Sequence, residues 1–166
     1  MTASPTSSSS SSSTDNSIFT EKFFINCSSG IALACIAFAI AGVGKALSNA
    51  VDGICAACEI RVEMGNCLIP TSMIGAGLIF AIVIVFTINP EQMTTLDKCS
   101  RIIAASLVGS LSIYYGSMAM SAVTKYGMGT NIRQKSFKNV FLIVLVIGEL
   151  ISLFGIMLYF LIANKK

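Results

Sequence analysis

Four long apolar runs divide the chain. They cover roughly residues 30–51, 68–88, 102–124 and 140–163. At a rise of about 1.5 Å per residue, a helix of some 21 residues spans the hydrocarbon core of a bilayer, which is about 30 Å thick. Backbone amides in lipid need internal hydrogen bonds, and the runs are too long for barrel strands. The pattern therefore predicts an all-α membrane protein with four transmembrane helices.

The polar segments between these runs predict two tandem helical hairpins. Residues 1–22 are rich in serine and low in complexity, which predicts a disordered tail. Residues 23–88 would form the first hairpin, with transmembrane helices 1 and 2. Residues 89–101 would form a connecting loop, and residues 102–166 the second hairpin, with transmembrane helices 3 and 4.

The two hairpins have the pattern of a duplication. An Ile-Arg pair that ends at Arg61 recurs as a pair that ends at Arg133, an offset of 72 residues. Both arginines fall at predicted hairpin tips. Sixteen residues after each arginine, the same offset pairs Gly77 in the first hairpin with Glu149 in the second. The second hairpin thus has an acid at the depth where the first has a glycine.

Charge in the third polar segment predicts the orientation of the hairpins. Lys125, Arg133, Lys135 and Lys138 occur there without an acid. Basic loops tend to stay in the cytoplasm. Both hairpin tips would then be cytoplasmic, and both chain termini would be on the luminal side.

Small residues are concentrated in helices 1 and 3. Lipid provides no hydrophobic drive between helices, so small side chains bring two backbones close enough for dispersion contacts. Helices 1 and 3 are therefore predicted to pack closely. Helices 2 and 4 are richer in Ile, Leu, Val and Phe, and are predicted to face lipid.

Composition excludes several kinds of site. The chain has no histidine, and its six cysteines include one CxxC pair, Cys55 and Cys58, without a second pair to complete a tetrahedral zinc site. We expect no metal and no cofactor. A net charge of +3 without a basic run interleaved with aromatic residues gives no indication of nucleic-acid binding. Without a GxxxxGK[ST] motif, the isolated chain is not expected to hydrolyse ATP.

Glu149 is the residue most indicative of function. It is the only charge in residues 146–158 and lies near the middle of the fourth apolar run. Neutralising a glutamate at pH 7 costs about 3.7 kcal/mol, whereas a bare anion in lipid costs several kcal/mol or more. The neutral form is therefore favoured against lipid, and the anion beside a fixed positive group. A carboxyl that alternates between these surroundings can carry a proton.

Three segments resemble the proteolipid c subunits of vacuolar-type (V-type) rotary ATPases. They are GICAAC (53–58), AGLI (76–79) and GELISLFGIM (148–157). The resemblance extends over about residues 28–163, and includes the closely related c-prime variants. It implies a ring of such subunits with helices 1 and 3 inside, and it implies that Glu149 is the proton carrier.

The family resemblance also implies partners and a location. The partners would be other copies and related proteolipids, a membrane stator a subunit that supplies an arginine and two half-channels, and a central-stalk d subunit at the hairpin tips. The location would be the vacuolar membrane or another acidic endomembrane. With Gly77 in place of a second acid, each four-helix subunit carries one proton, which favours pumping against a steep gradient.

Lys45 leaves two interpretations open. It lies sixteen residues before Arg61, so a symmetric hairpin places it near the depth of Gly77 and Glu149. An ion pair between Lys45 and Glu149 would hold the acid as an anion and oppose proton carrying. Alternatively, Lys45 faces the ring interior or extends along its stem towards polar surroundings.

Two other functions are compatible with four such helices. One is a structural or channel-forming membrane protein in which Glu149 serves packing or selectivity. The other is a small secondary transporter, although the two hairpins repeat in the same orientation and no helix is interrupted at mid-depth.

Overall fold

The described part of the chain consists of helices joined by short connections. The computed structural model describes residues 12–60, 64–88 and 95–164. Within these ranges, four helices are long and apolar enough to cross a membrane. This confirms the prediction of an all-α, multi-pass architecture. The helices are α1 (Ser12–Ile60), α2 (Met64–Thr87), α3 (Leu96–Arg133) and α4 (Lys138–Ala163), with a 3-10 turn at Lys135–Phe137 before α4.

Consecutive helices run in opposite directions, so α1 and α3 are parallel. A Cβ atom added at Gly53 would lie 2.5 Å from Lys125 Cα, and Gly42 faces the ring of Tyr114. Both contacts join residues that are 72 positions apart. Helices α2 and α4 are also parallel, and the hydroxyls of Thr87 and Tyr159 lie 2.9 Å apart. The two hairpins therefore stand side by side in the register that the sequence repeat predicts.

Three of the helices bury a single stripe with a spacing of alternately three and four residues. This spacing places the buried residues on one face of a helix, as in left-handed helix packing. Helix α3 is buried over a wider arc, since α1, α2 and α4 all contact it. The stripes are Ala32, Ile36, Ala39, Val43, Ala46, Ala50, Gly53 and Ala57 in α1, Pro70, Ile74, Gly77, Ala81, Ile84 and Ile88 along α2, and Phe141, Leu145, Gly148, Ser152, Gly155 and Tyr159 in α4.

The most extensive contact is between α1 and α3, as the small residues predicted. The ring of Phe38 stacks on that of Tyr114 with centroids 4.8 Å apart. Towards the hairpin tips, Lys125 Nζ lies 3.1 Å from Asp52 Oδ2. Both of these side chains are largely exposed, so the ion pair is worth little to stability. Close backbone approach and aromatic stacking hold this helix pair.

Helix α4 also packs tightly on α3, its partner in the second predicted hairpin, although the sequence analysis did not predict that small residues mediate this contact. Gly116 of α3 faces Ser152, and Gly155 of α4 faces Ser112. The Ser112 hydroxyl donates a 2.7 Å hydrogen bond across the interface to the carbonyl oxygen of Ile151. Glycines and serines thus bring these two backbones together.

Two helices begin earlier than the predicted segments. Helix α1 starts at Ser12, so residues 12–22 are helical although the predicted disordered tail included them; the remainder of that prediction, residues 1–11, lies outside the described residues. Helix α3 starts at Leu96, which shortens the predicted loop of residues 89–101. Once a helix exists, each added turn costs little even for serine and threonine. The polar segments of the sequence therefore indicate where the membrane-spanning part of a helix ends, and the helix itself can continue beyond that point.

Candidate functional site

Glu149 lies on the flank of the buried stripe of α4. Gly148 and Ser152 are buried in that stripe, and each residue of a helix turns about 100° from the previous one. Glu149 is consequently rotated out of the core and is half-buried. The next residue, Leu150, is 55% exposed. The carboxyl lies at the boundary between the helix bundle and its apolar surroundings.

Glu149 has no ion-pair partner within the described residues. The ion pairs found there join Arg101 with Asp97 and Lys125 with Asp52, and no hydrogen bond to the Glu149 carboxyl is present. A carboxyl of this kind is free to exchange partners. It can bind a proton against an apolar surface and release it to a cation that another molecule brings.

Gly77, which the repeat pairs with Glu149, lies in a different environment. It is buried where α2 contacts α1 and α3. A Cβ atom added there would lie 2.9 Å from Ser117 Oγ and 3.0 Å from Val43 Cγ2. The close approach of three helices favours a glycine at this position. A carboxyl could not replace Gly77 without separating the helices.

Lys45 is exposed on α1 and makes no ion pair with Glu149, since both residues are described and neither has a charged partner. The ion pair considered from the sequence is therefore absent within one chain. Lys45 lies seven residues from both Phe38 and Asp52, on one flank of α1. Those two residues contact α3, so the flank with Lys45 adjoins the α1–α3 contact.

The structure places Lys45, Gly77 and Glu149 at about the same depth. Gly77 contacts Val43 of α1 and Ser117 of α3, and Gly148 contacts Met120 of α3. Three residues of a helix rise about 4.5 Å. Glu149 and Gly77 are thus within about one turn along the bundle axis, as the repeat predicts, while their surroundings differ.

One of the two arginines predicted at the hairpin tips lies within the described residues. Arg133 is exposed and is the last residue of α3. Arg61 lies outside the described residues. That Glu149 carries a proton, and that both tips are cytoplasmic, stay predictions.

Two buried serines near the depth of Glu149 were not predicted from the sequence to belong to this region. Ser117 and Ser152 are buried, and their hydroxyl oxygens have no hydrogen-bond partner among the described residues. Both face glycines, Ser117 towards Gly77 and Ser152 towards Gly116. Serine is common in membrane helices as a small packing residue, so no sequence signal distinguished these two from their neighbours.

A second feature that the sequence did not indicate is a contact between two thiols. The sulfurs of Cys58 and Cys67 lie 3.7 Å apart, where the end of α1 meets the start of α2. The CxxC pattern had directed attention to Cys55 instead. Among the described residues, no group of three or more potential metal ligands occurs.

Comparison with known proteins does not identify the chain. A scan against protein-family models finds no match, and a search of curated proteins finds no relative.

Proposed function

We propose that this chain is a proton-carrying subunit in the membrane rotor ring of a V-type ATPase. The observation that carries the proposal is Glu149, a half-buried carboxyl in the middle of an apolar helix that forms no ion pair with another described residue. Ionisable residues within membrane spans are costly and are usually functional. The resemblance of residues 148–157 to the carboxylate-bearing helix of the proteolipid family supports the same role.

The proposed mechanism depends on a change of surroundings at one carboxyl. While Glu149 faces lipid, the protonated form is favoured because an anion there is poorly solvated. An arginine of the stator a subunit, beside a water-filled half-channel, favours the anion, and the proton leaves. A second half-channel supplies the next proton. ATP hydrolysis in other subunits turns the ring between these two states.

The stoichiometry follows from Gly77. Its close contacts with Ser117 and Val43 leave no room for a second carboxyl in the first hairpin. Each four-helix subunit then carries one proton. Fewer protons per revolution means more free energy of ATP hydrolysis per proton, which suits pumping into an acidic vacuole or endosome.

Substitution of the acid tests the proposal. In cells whose only copy is Glu149→Gln, we expect ATP-driven acidification of the organelle to be lost, because the amide does not release a proton at neutral pH. The matched control is Glu59→Gln, which makes the same chemical change at an exposed acid in the last turn of α1. Normal acidification with Glu149→Gln would refute the proposal.

A hydrophobic carbodiimide tests the same carboxyl by chemistry. It reacts with protonated carboxyls in lipid, so it should label Glu149 and block acidification. Labelling of Glu149 without loss of proton transport would instead support a structural or channel-forming role for this acid.

A further inference from the structure

An open groove lies between α3 and α4 near the tip of the second hairpin, with a volume of about 450 Å³. The buried Phe141 forms its floor against Gly127, where an added Cβ atom would lie 3.0 Å from the phenylalanine ring. Its walls include Tyr126 and Val144, which are 79% and 39% exposed. This α3–α4 groove is therefore apolar and open along one side.

The α3–α4 groove runs along the helices. It extends from Thr130 to Ala122 on α3 and from Phe137 to Val144 on α4. Eight residues of a helix rise about 12 Å, and seven rise about 10.5 Å. One end of the groove is thus at the hairpin tip, and the other end lies five residues of α4 before Glu149. The acyl chain of a lipid has the same direction, from the membrane surface towards the middle of the bilayer.

The groove is on a side of α3 that does not face α1. Lys125 approaches Gly53 of α1 and pairs with Asp52. Thr130, which lines the groove, comes five residues after Lys125 and is rotated from it by about 140° around the helix. Lys125 and its acidic partner are therefore not part of the groove.

Two other cations border the groove at its outer end. Arg133 lies three residues after Thr130, and Lys138 lies three residues before Phe141. Residues three apart are neighbours on the surface of a helix. Arg133 and Lys138 are exposed, and neither has an ion pair with another described residue. The groove thus combines apolar walls with two positive charges at the end that lies nearest the membrane surface.

We infer that the α3–α4 groove binds an anionic phospholipid. One acyl chain occupies the groove, and the phosphate group lies beside Arg133 and Lys138. A guanidinium group can donate two hydrogen bonds to a phosphate, and an ammonium group adds a compact positive charge. The inference goes beyond the proposed function, since it concerns the tip of the second hairpin and not proton transfer at Glu149.

The charges favour an anionic lipid over a zwitterionic one. A zwitterionic lipid could fill the same groove, but it has no net charge to balance Arg133 and Lys138. Basic pockets between membrane helices on the cytoplasmic side bind anionic headgroups. If the hairpin tips are cytoplasmic, as the basic segment predicts, then the groove opens into the leaflet that contains anionic lipids.

A single tryptophan can report which lipid occupies the groove, because the chain has no tryptophan of its own. Tyr126→Trp keeps an aromatic ring on the groove wall. The full-length variant is reconstituted into phosphatidylcholine vesicles that contain a minor fraction of phosphatidylserine. Bromine on the acyl chains of one of the two lipids quenches a tryptophan that those chains contact. We expect brominated phosphatidylserine to quench this tryptophan more strongly than its share of the lipid would give.

Leu68→Trp is the matched control. Leu68 is 67% exposed and lies seven residues after Arg61, whereas Tyr126 lies seven residues before Arg133, so both positions are at about the same depth. We expect brominated phosphatidylserine to quench Leu68→Trp only in proportion to its share of the lipid. In the Tyr126→Trp chain, Arg133→Gln or Lys138→Gln should each lower the preference for phosphatidylserine about fivefold, which corresponds to about 1 kcal/mol.

Two results would overturn the inference. One is equal quenching of the two tryptophans by brominated phosphatidylserine, which would mean that the groove does not select an anionic lipid. The other is a tryptophan at position 126 that neither brominated lipid quenches, which would mean that protein, such as a second copy of the chain, covers the groove. Neither result depends on proton transport, so the proposed function can fail or stand separately.

A second measurement uses the unmodified chain, should the tryptophan variants fail to fold. Mass spectrometry of the lipids that remain on the protein after purification in mild detergent measures the anionic phospholipid retained per chain. The double variant Arg133→Gln with Lys138→Gln should retain less than the wild type. Lys98→Gln with Arg101→Gln removes the same charge near the start of α3, and it should retain as much as the wild type. Equal retention by the two double variants would contradict the inference.

Discussion

At the scale of single residues, glycines determine how closely α3 and α4 approach. A Cβ atom added at Gly116 would collide with the Ser152 hydroxyl and lie 3.1 Å from the carbonyl oxygen of Gly148. The serine can change its rotamer, but the backbone carbonyl cannot move without displacing the helix. Gly116 therefore allows a close backbone contact that a larger residue would loosen.

Gly116→Val should lower the stability of the helix bundle. The two added methyl groups press on the backbone of α4, and overpacking of this kind costs about 1–3 kcal/mol. We expect a lower midpoint of thermal unfolding in detergent, followed by the loss of helical circular dichroism. Gly44→Val is the matched control, because it makes the same change in helix propensity where an added Cβ has no neighbour within 4 Å. Equal midpoints for the two variants would contradict the packing of α3 on α4.

The sequence predicted Glu149 more readily than its surroundings. A lone acid in an apolar run is visible without any structure, and so is Lys45. Whether two such groups meet depends on the rotation of each helix about its axis. One residue turns a side chain by about 100°, and the apolar pattern of α4 is too uniform to fix that rotation. The absence of an in-chain Lys45–Glu149 pair therefore had to come from the structure.

At the scale of helices, the apolar runs predicted the number and the order of the helices but not the residues at which they begin and end. All four predicted helices are present, yet α1 extends from Ser12 to Ile60 and α3 from Leu96 to Arg133. A helix satisfies its own backbone hydrogen bonds in water as well as in lipid, so its ends need not coincide with the membrane surface. The hydrophobic pattern therefore indicates the boundary of the lipid and does not indicate the ends of the helices.

The contact of Cys58 with Cys67 tests how α1 meets α2. Sulfurs 3.7 Å apart need to move by less than 2 Å to reach a disulfide length of about 2.05 Å. Mild oxidation of the full-length protein should therefore join these two cysteines. Trypsin cleaves after Arg61, so this disulfide would link the peptides of residues 46–61 and 62–98, which mass spectrometry detects as one species.

The neighbouring Cys55 provides the control. Residues three apart on a helix have Cβ atoms about 5–6 Å apart, beyond the 3.5–4.5 Å that a disulfide needs. A Cys55→Ser variant should form the same linked peptides, whereas Cys67→Ser should not. A disulfide between Cys55 and Cys58 would remain within residues 46–61, and finding it instead would contradict a regular helix at the end of α1.

At the scale of the whole molecule, residues that the repeat pairs lie at a similar depth in the bundle but have different neighbours. Gly77 and Glu149 correspond by the offset, and both lie near the middle of the bundle. Gly77 is buried because α1 and α3 both contact it, while Glu149 is half-buried on the flank of α4. The acid thus lies at the more accessible of the two equivalent positions.

Moving the acid from one hairpin to the other tests that asymmetry. The double variant is Gly77→Glu with Glu149→Gly. If the two hairpins were equivalent, this variant would keep one carboxyl at the same depth and could still carry a proton. The structure predicts the opposite result. The new side chain must enter the contact among α1, α2 and α3, where even a Cβ atom lies 2.9 Å from Ser117 Oγ. We expect little monodisperse protein in detergent and no acidification.

Two further variants make that result interpretable. Glu149→Gly alone should fold, because it only removes a side chain from a half-buried flank, and it should also fail to acidify. Gly77→Ala alone should reduce stability without abolishing transport, since its Cβ contacts are close but involve side chains that can shift. If the double variant folds as well as Glu149→Gly and restores acidification, then Gly77 is not enclosed by α1 and α3, and the arrangement of the two hairpins described here is wrong.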